Sequence, residues 1–186
     1  MNAVALELRY AFFISAGTFI WLMMEYLLGF HDEYVRVYGI VSKVALIIPI
    51  AFTFVALRKK REEYYDGVIT FGQAFKSGLI IALLCAVFII PIQIMFHYAI
   101  NPRFFDVMID EHIERAIRNG ENLTEARNQA FAVYTVSAYV VQRATATLLT
   151  GLVLAVIFAW GTRRTQEELD ALREKYKAAM DNRSES

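Results

Sequence analysis

Four long apolar runs, at residues 10–30, 38–57, 79–100 and 137–160, constrain this chain more than any other feature. The hydrocarbon core of a bilayer is about 30 Å thick, and a helix needs about 20 residues to cross it. All four runs reach that length. Lipid offers no hydrogen-bond partners, so a crossing segment has to bond its own backbone, which a helix does. The expected fold is therefore an all-α integral membrane bundle of four transmembrane helices. It forms one domain over residues 1–162, with a charged helical tail over 163–186. Composition agrees, because 57% of the 186 residues are hydrophobic and they come in blocks rather than alternating with polar ones. The first run reads as a retained helix, not a cleaved leader. Only Arg9 precedes it, it is too long for an h-region, and no A-x-A site follows before Glu25.

Basic residues orient the spans, since Lys and Arg near span ends stay on the cytoplasmic side. Arg58, Lys59, Lys60, Arg61 and Lys76 lie between the second and third runs, and Arg163, Arg164, Arg173, Lys175, Lys177 and Arg183 follow the fourth. The segment 31–37 has only Arg36 beside Asp32 and Glu33, and the four arginines of 101–136 are outnumbered by six acids. Both termini and the 58–73 loop are expected in the cytoplasm, with an extracytoplasmic helical hairpin over 101–136. Tyr10, Phe30, Tyr38, Tyr98 and Trp160 fall at span ends, the headgroup level that amphipathic rings favour.

The runs are interrupted by Glu25, Lys43, Gln93, His97 and Arg143. With the spans oriented, all five lie in the outer third of the bilayer as a candidate buried polar layer. A charge there is unfavourable unless paired. A short loop joins the first two spans, so Glu25 is expected to pair with Lys43; a carboxylate shared between Lys43 and Arg143 would leave one net positive charge. Three uses compete: a salt-bridged lock that fixes helix order, a pocket for a lipid headgroup or small anion, and a proton path through Glu25 and His97. The path is disfavoured because no polar residue continues it through the inner half.

Small residues recur every fourth position on the last two spans: Ala74, Gly78, Ala82 and Ala86 on one, Thr147, Gly151, Ala155 and Ala159 on the other. Such stripes let helix backbones approach closely in lipid. Both occupy the inner half, so the two spans are expected to pack there as an antiparallel pair. Pro49 and Pro91 are expected to kink their spans.

Outside the spans, Asn101-Pro102 reads as the start of an amphipathic helix over about 102–118 and Asn119-Gly120 as its stop. Thr124 is expected to cap a second helix running into the fourth span. Gly161 breaks that span, and Thr165-Gln166-Glu167-Glu168 matches a capping box for the tail. Leu169, Leu172, Tyr176 and Ala179 follow a three-four rhythm over two heptads, which reads as a solvated helix or, alternatively, a self-association seam, and residues 181–186 read as disordered.

Catalytic patterns are lacking. There is no Gly-rich phosphate loop, no metal-spaced Cys or His set and no cofactor motif, and His31, His97 and His112 are scattered over different elements. Cys85, the one cysteine, reads as an apolar packing residue. A net charge of zero gives no reason to expect a nucleic-acid partner. The expected partners are the lipid bilayer and another membrane protein or a second copy of the chain.

Phe71-Gly72-Gln73-Ala74-Phe75-Lys76-Ser77-Gly78 opens the third run after the basic cluster, and Tyr98-Ala99-Ile100-Asn101-Pro102-Arg103-Phe104 closes it before an acidic amphipathic segment, a glycine and a second helix. In this order of features the chain resembles an uncharacterised family of four-helix bacterial inner-membrane proteins, a domain of unknown function. The resemblance implies four spans and a bacterial cytoplasmic membrane, and it carries no site residues. The expected role is a small accessory or scaffold protein without enzyme activity. The alternative is a small transporter or a lipid- or anion-binding protein that uses the polar layer.

Overall fold

The computed structural model describes residues 4–184, and it is helical throughout apart from short connections. Four segments are long and apolar enough to cross a membrane: Ala5–Leu27, Val35–Tyr64, Phe71–Ile100 and Val136–Thr162. The first is helix α1. The second is broken into α2 (Val35–Val44) and α3 (Ile47–Tyr64). The third is α4 (Phe71–Met95) prolonged by a π-helical turn, Phe96–Ile100. Helices α5 (Phe104–Arg118) and α6 (Leu123–Val133) form a hairpin before the fourth, α7 (Val136–Thr162), and α8 (Gln166–Ser184) ends the described chain.

The helices overrun the apolar runs for local reasons. Thr70 caps α4 reciprocally, its hydroxyl accepting from Gln73 N–H at 3.3 Å while its own N–H donates to Gln73 Oε1 at 3.0 Å. The span therefore starts at Phe71, eight residues before the hydrophobic run. Helix α1 stops early, at Leu27, because Gly29 takes φ +78° and lets Phe30 N–H bond back to Glu25 C=O at 3.0 Å. Pro49 cannot donate to the carbonyl of Ala45, so the second span breaks at Ala45–Leu46 and restarts in α3. Pro91 sits inside α4 without ending it, and the helix widens into the π turn one turn later.

The closest interface in the bundle is between α4 and α7. A methyl built on Gly78 would lie 2.7 Å from Ala155 Cβ, and one built on Gly151 would lie 2.5 Å from Ala82 Cβ. Ala74 and Ala159 pack one step further along, with Ile69. Helices α1, α3 and α4 share a second core of Leu6, Tyr10, Ala11, Ile14, Ala56, Ile81 and Cys85.

One end of the bundle gathers the basic segments. Glu7 and Lys60 are buried, at 1% and 5% exposure. Lys60 Nζ lies 2.8 Å from Glu7 Oε1, which also accepts from the Ser77 hydroxyl at 2.7 Å. Arg61 donates to Thr162 C=O at 3.1 Å, and a single antiparallel bridge joins Ile69 to Arg164. This corrects the expectation that the half of the bundle away from the hairpin lacks polar groups. Glu7 precedes the first apolar run and Lys60 follows the second, so both look like surface charges until their helices are extended to full length.

The hairpin differs in its caps. Asn101 does not cap α5, which starts at Phe104, and Asn122 rather than Thr124 caps α6 by accepting from Glu125 N–H at 3.1 Å. Gly120, at φ +70°, turns the chain between them. Helix α6 does not run on into the fourth span: the chain breaks at Tyr134–Thr135, and Thr135 caps α7. Tyr134 is partly buried against His112, and burial pushes its phenol above the ordinary value, with Arg115 opposing. Thr165 and Glu168 cap α8 reciprocally, and the helix continues to Ser184, further than residues 181–186 led one to expect. Residues 185–186 and the side chains of Tyr176 and Ala179 lie outside the described residues.

Candidate functional site

At the hairpin end the polar residues of the spans are held in an aromatic shell. Glu25, on the last turn of α1, accepts from Trp21 Nε1 at 2.7 Å, and its second oxygen faces His31 Nε2 at 3.7 Å. His31 comes from the α1–α2 connection and is completely buried. Its Nδ1 lies 3.5 Å from Asn101 Nδ2. Tyr38, Phe96 and Phe104 pack edge-on around the ring at 5.0–5.5 Å. Gln93 and His97, one turn apart, bond to each other at 3.0 Å, and His97 is flanked by Phe104, Phe105 and Tyr139.

Arg143 hydrogen-bonds none of Glu25, Gln93, His31 or His97. Its Nη2 donates to the hydroxyls of Tyr38 at 2.8 Å and Tyr139 at 2.6 Å, and those hydroxyls lie 3.0 Å from each other. The guanidinium also sits over the Tyr139 ring, 5.0 Å from its centroid. Tyr139 and Arg143 are one turn apart on α7, which is why one side chain reaches the other. Tyr38 comes across from α2.

The expected Glu25–Lys43 pair does not form, and neither does the shared carboxylate. Lys43 is exposed. It follows Tyr38 by five residues, about 140° around the helix, so a face that turns Tyr38 inward turns Lys43 outward. Among the described residues no carboxylate lies within 4.0 Å of the Arg143 guanidinium. Of the five interrupting residues, Glu25, Gln93 and His97 are buried together, Arg143 is half-buried beside them, and Lys43 is outside. Sequence reasoning missed His31, Tyr38 and Tyr139. The first lay in a predicted loop, and Tyr38 read as an interfacial ring. Tyr139 carried a usable signal, its spacing of four from Arg143.

Arg143 also forms part of the wall of a cavity of about 160 Å³ lined by residues of all four spans. Ile14 of α1, Leu46 and Pro49 at the break in the second span, Ile81 of α4 and Thr147 of α7 line it. Ala45, at the break, lines it as well, so this stretch of the second span forms one side of the space. Arg143 is the only charged residue on the wall among the described residues. Its Nη2 makes both hydrogen bonds described above. The other guanidinium nitrogens make none among the described residues, so they remain available as donors. Of the two phenols one donates to the other, which leaves one further O–H. The arrangement suits a ligand with a negative group and an apolar body. Metal chemistry finds no such support: among the described residues no group of three or more His, Cys, Asp and Glu side chains is placed to hold an ion.

A family model described as "Protein of unknown function (DUF4199)" matches residues 9–164. No curated protein and no solved structure matches the chain.

Proposed function

The chain belongs to the DUF4199 family of unknown function, and from that premise we propose that it is a membrane-embedded binding protein for an anionic amphiphile, with Arg143 as the anchor for the negative group. The observation that carries this reading is a guanidinium without a carboxylate partner on the wall of a cavity whose other lining residues are apolar or carry only hydroxyls. A buried ion-pair lock would have put Glu25 against Arg143, and Glu25 is instead bonded to Trp21 and turned to His31. The site offers binding groups and no nucleophile aligned with a base, so the reading is of a binder rather than an enzyme.

The same proposal sets the protein in a bacterial cytoplasmic membrane with both termini in the cytoplasm and the α5–α6 hairpin outside. The basic residues support this, since Arg58–Arg61, Arg163 and Arg164 cluster at one end while acids prevail in the hairpin. A reporter fused after Ser186 is expected to be cytoplasmic, and an extracytoplasmic signal overturns the orientation.

The binding reading is tested on protein extracted in mild detergent and analysed for bound lipid. The wild type is expected to retain an anionic amphiphile that Arg143→Gln loses. If both retain it equally, or neither holds one, the binding reading fails. The role of a small accessory or scaffold protein, acting through the hairpin and tail, then takes its place.

A further inference from the structure

We infer that the ligand of the Arg143 site is a single-chain amphiphile, a fatty acid or lysolipid, which enters sideways from the bilayer between α2 and α7 and lays the carbons next to its head in the cavity. The inference rests on the reading that Arg143 binds an anion, and three observations extend it.

The first is size. A cavity of about 160 Å³ is close to the ~150 Å³ apolar cavity that accepts benzene, so it takes about six carbons of one chain. The rest of a longer chain stays outside in lipid, and a second acyl chain has no room beside the first.

The second is depth. Arg143 lies seven residues into α7, about 10 Å along its axis from the hairpin end. A diacyl phospholipid has to draw its glycerol down to that level and leave one chain outside the bundle. A carboxylate or a lysolipid head carries only the chain that the cavity receives.

The third is access. Helix α2 makes few contacts with α7, and the Tyr38–Tyr139–Arg143 bonds join the two across the gap. Beyond that tie, Leu46 of the second span and Ala146 of α7 both line the cavity and are both exposed. The opening thus lies among residues that would face lipid, below the polar layer. The mostly apolar wall matches a hydrocarbon chain, and the free guanidinium donors of Arg143 meet the head.

The test is binding of radiolabelled palmitate to the purified full-length protein in a nonionic detergent. Competitors are palmitoyl-lysophosphatidylglycerol, dipalmitoyl-phosphatidylglycerol and the uncharged monopalmitoylglycerol. Two variants separate head from chain: Arg143→Gln removes the charge, and Ala146→Phe fills the cavity while leaving Arg143 in place. Ala45→Phe fills it from the opposite wall, and thermal melts identify any variant that has not folded.

Palmitate is expected to bind, to weaken about tenfold or more in Arg143→Gln, and to be lost in whichever filling variant folds. The diacyl lipid and the neutral glyceride are expected to compete poorly. Competition by the lysolipid stronger than that of unlabelled palmitate supports the inference with a phosphate head, and weaker competition supports it with a carboxylate. Diacyl lipid competing as well as palmitate, with Arg143 required and both folded filling variants unaffected, overturns the single-chain inference and leaves the anion site standing. Palmitate binding that is absent, or equal in wild type and Arg143→Gln, overturns both.

Discussion

The contact between α4 and α7 gives the sharpest quantitative prediction. Gly151→Ala adds one methyl whose nearest neighbours are Ala82 Cβ at 2.5 Å and Ala82 Cα at 3.0 Å. Carbon atoms attract best at about 3.5–4.0 Å, so the helices have to separate by roughly 1 Å. Ala82 Cα is backbone and cannot rotate aside. Strain of this kind costs about 1–3 kcal/mol. Replacing glycine within a helix returns about 0.5–1 kcal/mol of conformational entropy, which leaves a net loss of roughly 1–2 kcal/mol. The same shift loosens the Gly78–Ala155 contact further along the pair. Reversible unfolding in mixed micelles of increasing SDS content, followed by the fluorescence of Trp21 and Trp160, measures the change. Adding Ala82→Gly removes the closer of the two contacts and is expected to recover at least half of the loss, a coupling of roughly 1 kcal/mol. The reasoning fails if Gly151→Ala unfolds at the wild-type SDS content, or if the losses of the two substitutions add instead of cancelling.

At the basic end, Lys60→Met leaves the Glu7 carboxylate buried with the Ser77 hydroxyl, and stability is expected to fall by about 3–5 kcal/mol. Adding Glu7→Gln should return most of it in the same assay, whereas additive losses would count against a paired role. Thr70→Ala removes the α4 capping box and should cost about 1 kcal/mol, read as faster hydrogen exchange in the first turn of α4 with little change elsewhere. Arg36 bridges α2 to Glu111 at 3.6 Å and Glu114 at 3.2 Å on α5, but its side chain is two-thirds exposed. Arg36→Ala is therefore expected to cost less than about 1 kcal/mol and to lose its effect at high salt. A larger, salt-independent loss would mean that α5 depends on that contact.

Length and hydropathy alone are enough to read four crossing helices, because lipid allows few alternatives for a long apolar segment. The small-residue stripes could also be seen, since a spacing of four survives without knowledge of the partner. What could not be read was which face each polar residue takes. Lys43 and Tyr38 share a span, and only the helical phase set by the packing of α2 decides that the tyrosine turns in. Caps were visible where the capping residue was also the helix start, as at Thr165. They were missed where hydrophobicity was the guide, as at Thr70, because the first two turns of α4 include Gln73, Lys76 and Ser77. His31 was hidden for a different reason. Its burial depends on the α1–α2 connection folding inward between Phe96 and Phe104, two aromatics some seventy residues away.

The Glu7–Lys60 contact also bears on how the protein is made. In the orientation proposed, the basic cluster at Arg58–Arg61 helps to hold its loop on the cytoplasmic side. In the finished bundle, however, Lys60 and Arg61 are withdrawn from the surface, at 5% and 8% exposure. Two of the four charges that direct insertion are thus no longer displayed once the helices have assembled. The decision about direction has to fall while the second span is still entering the membrane, before α1 and α4 close around its end. The same lysine would then act twice in succession, first as a topological signal and later as a joint between helices. A chain with Glu7 replaced would be expected to insert the right way round and only afterwards fail to hold together.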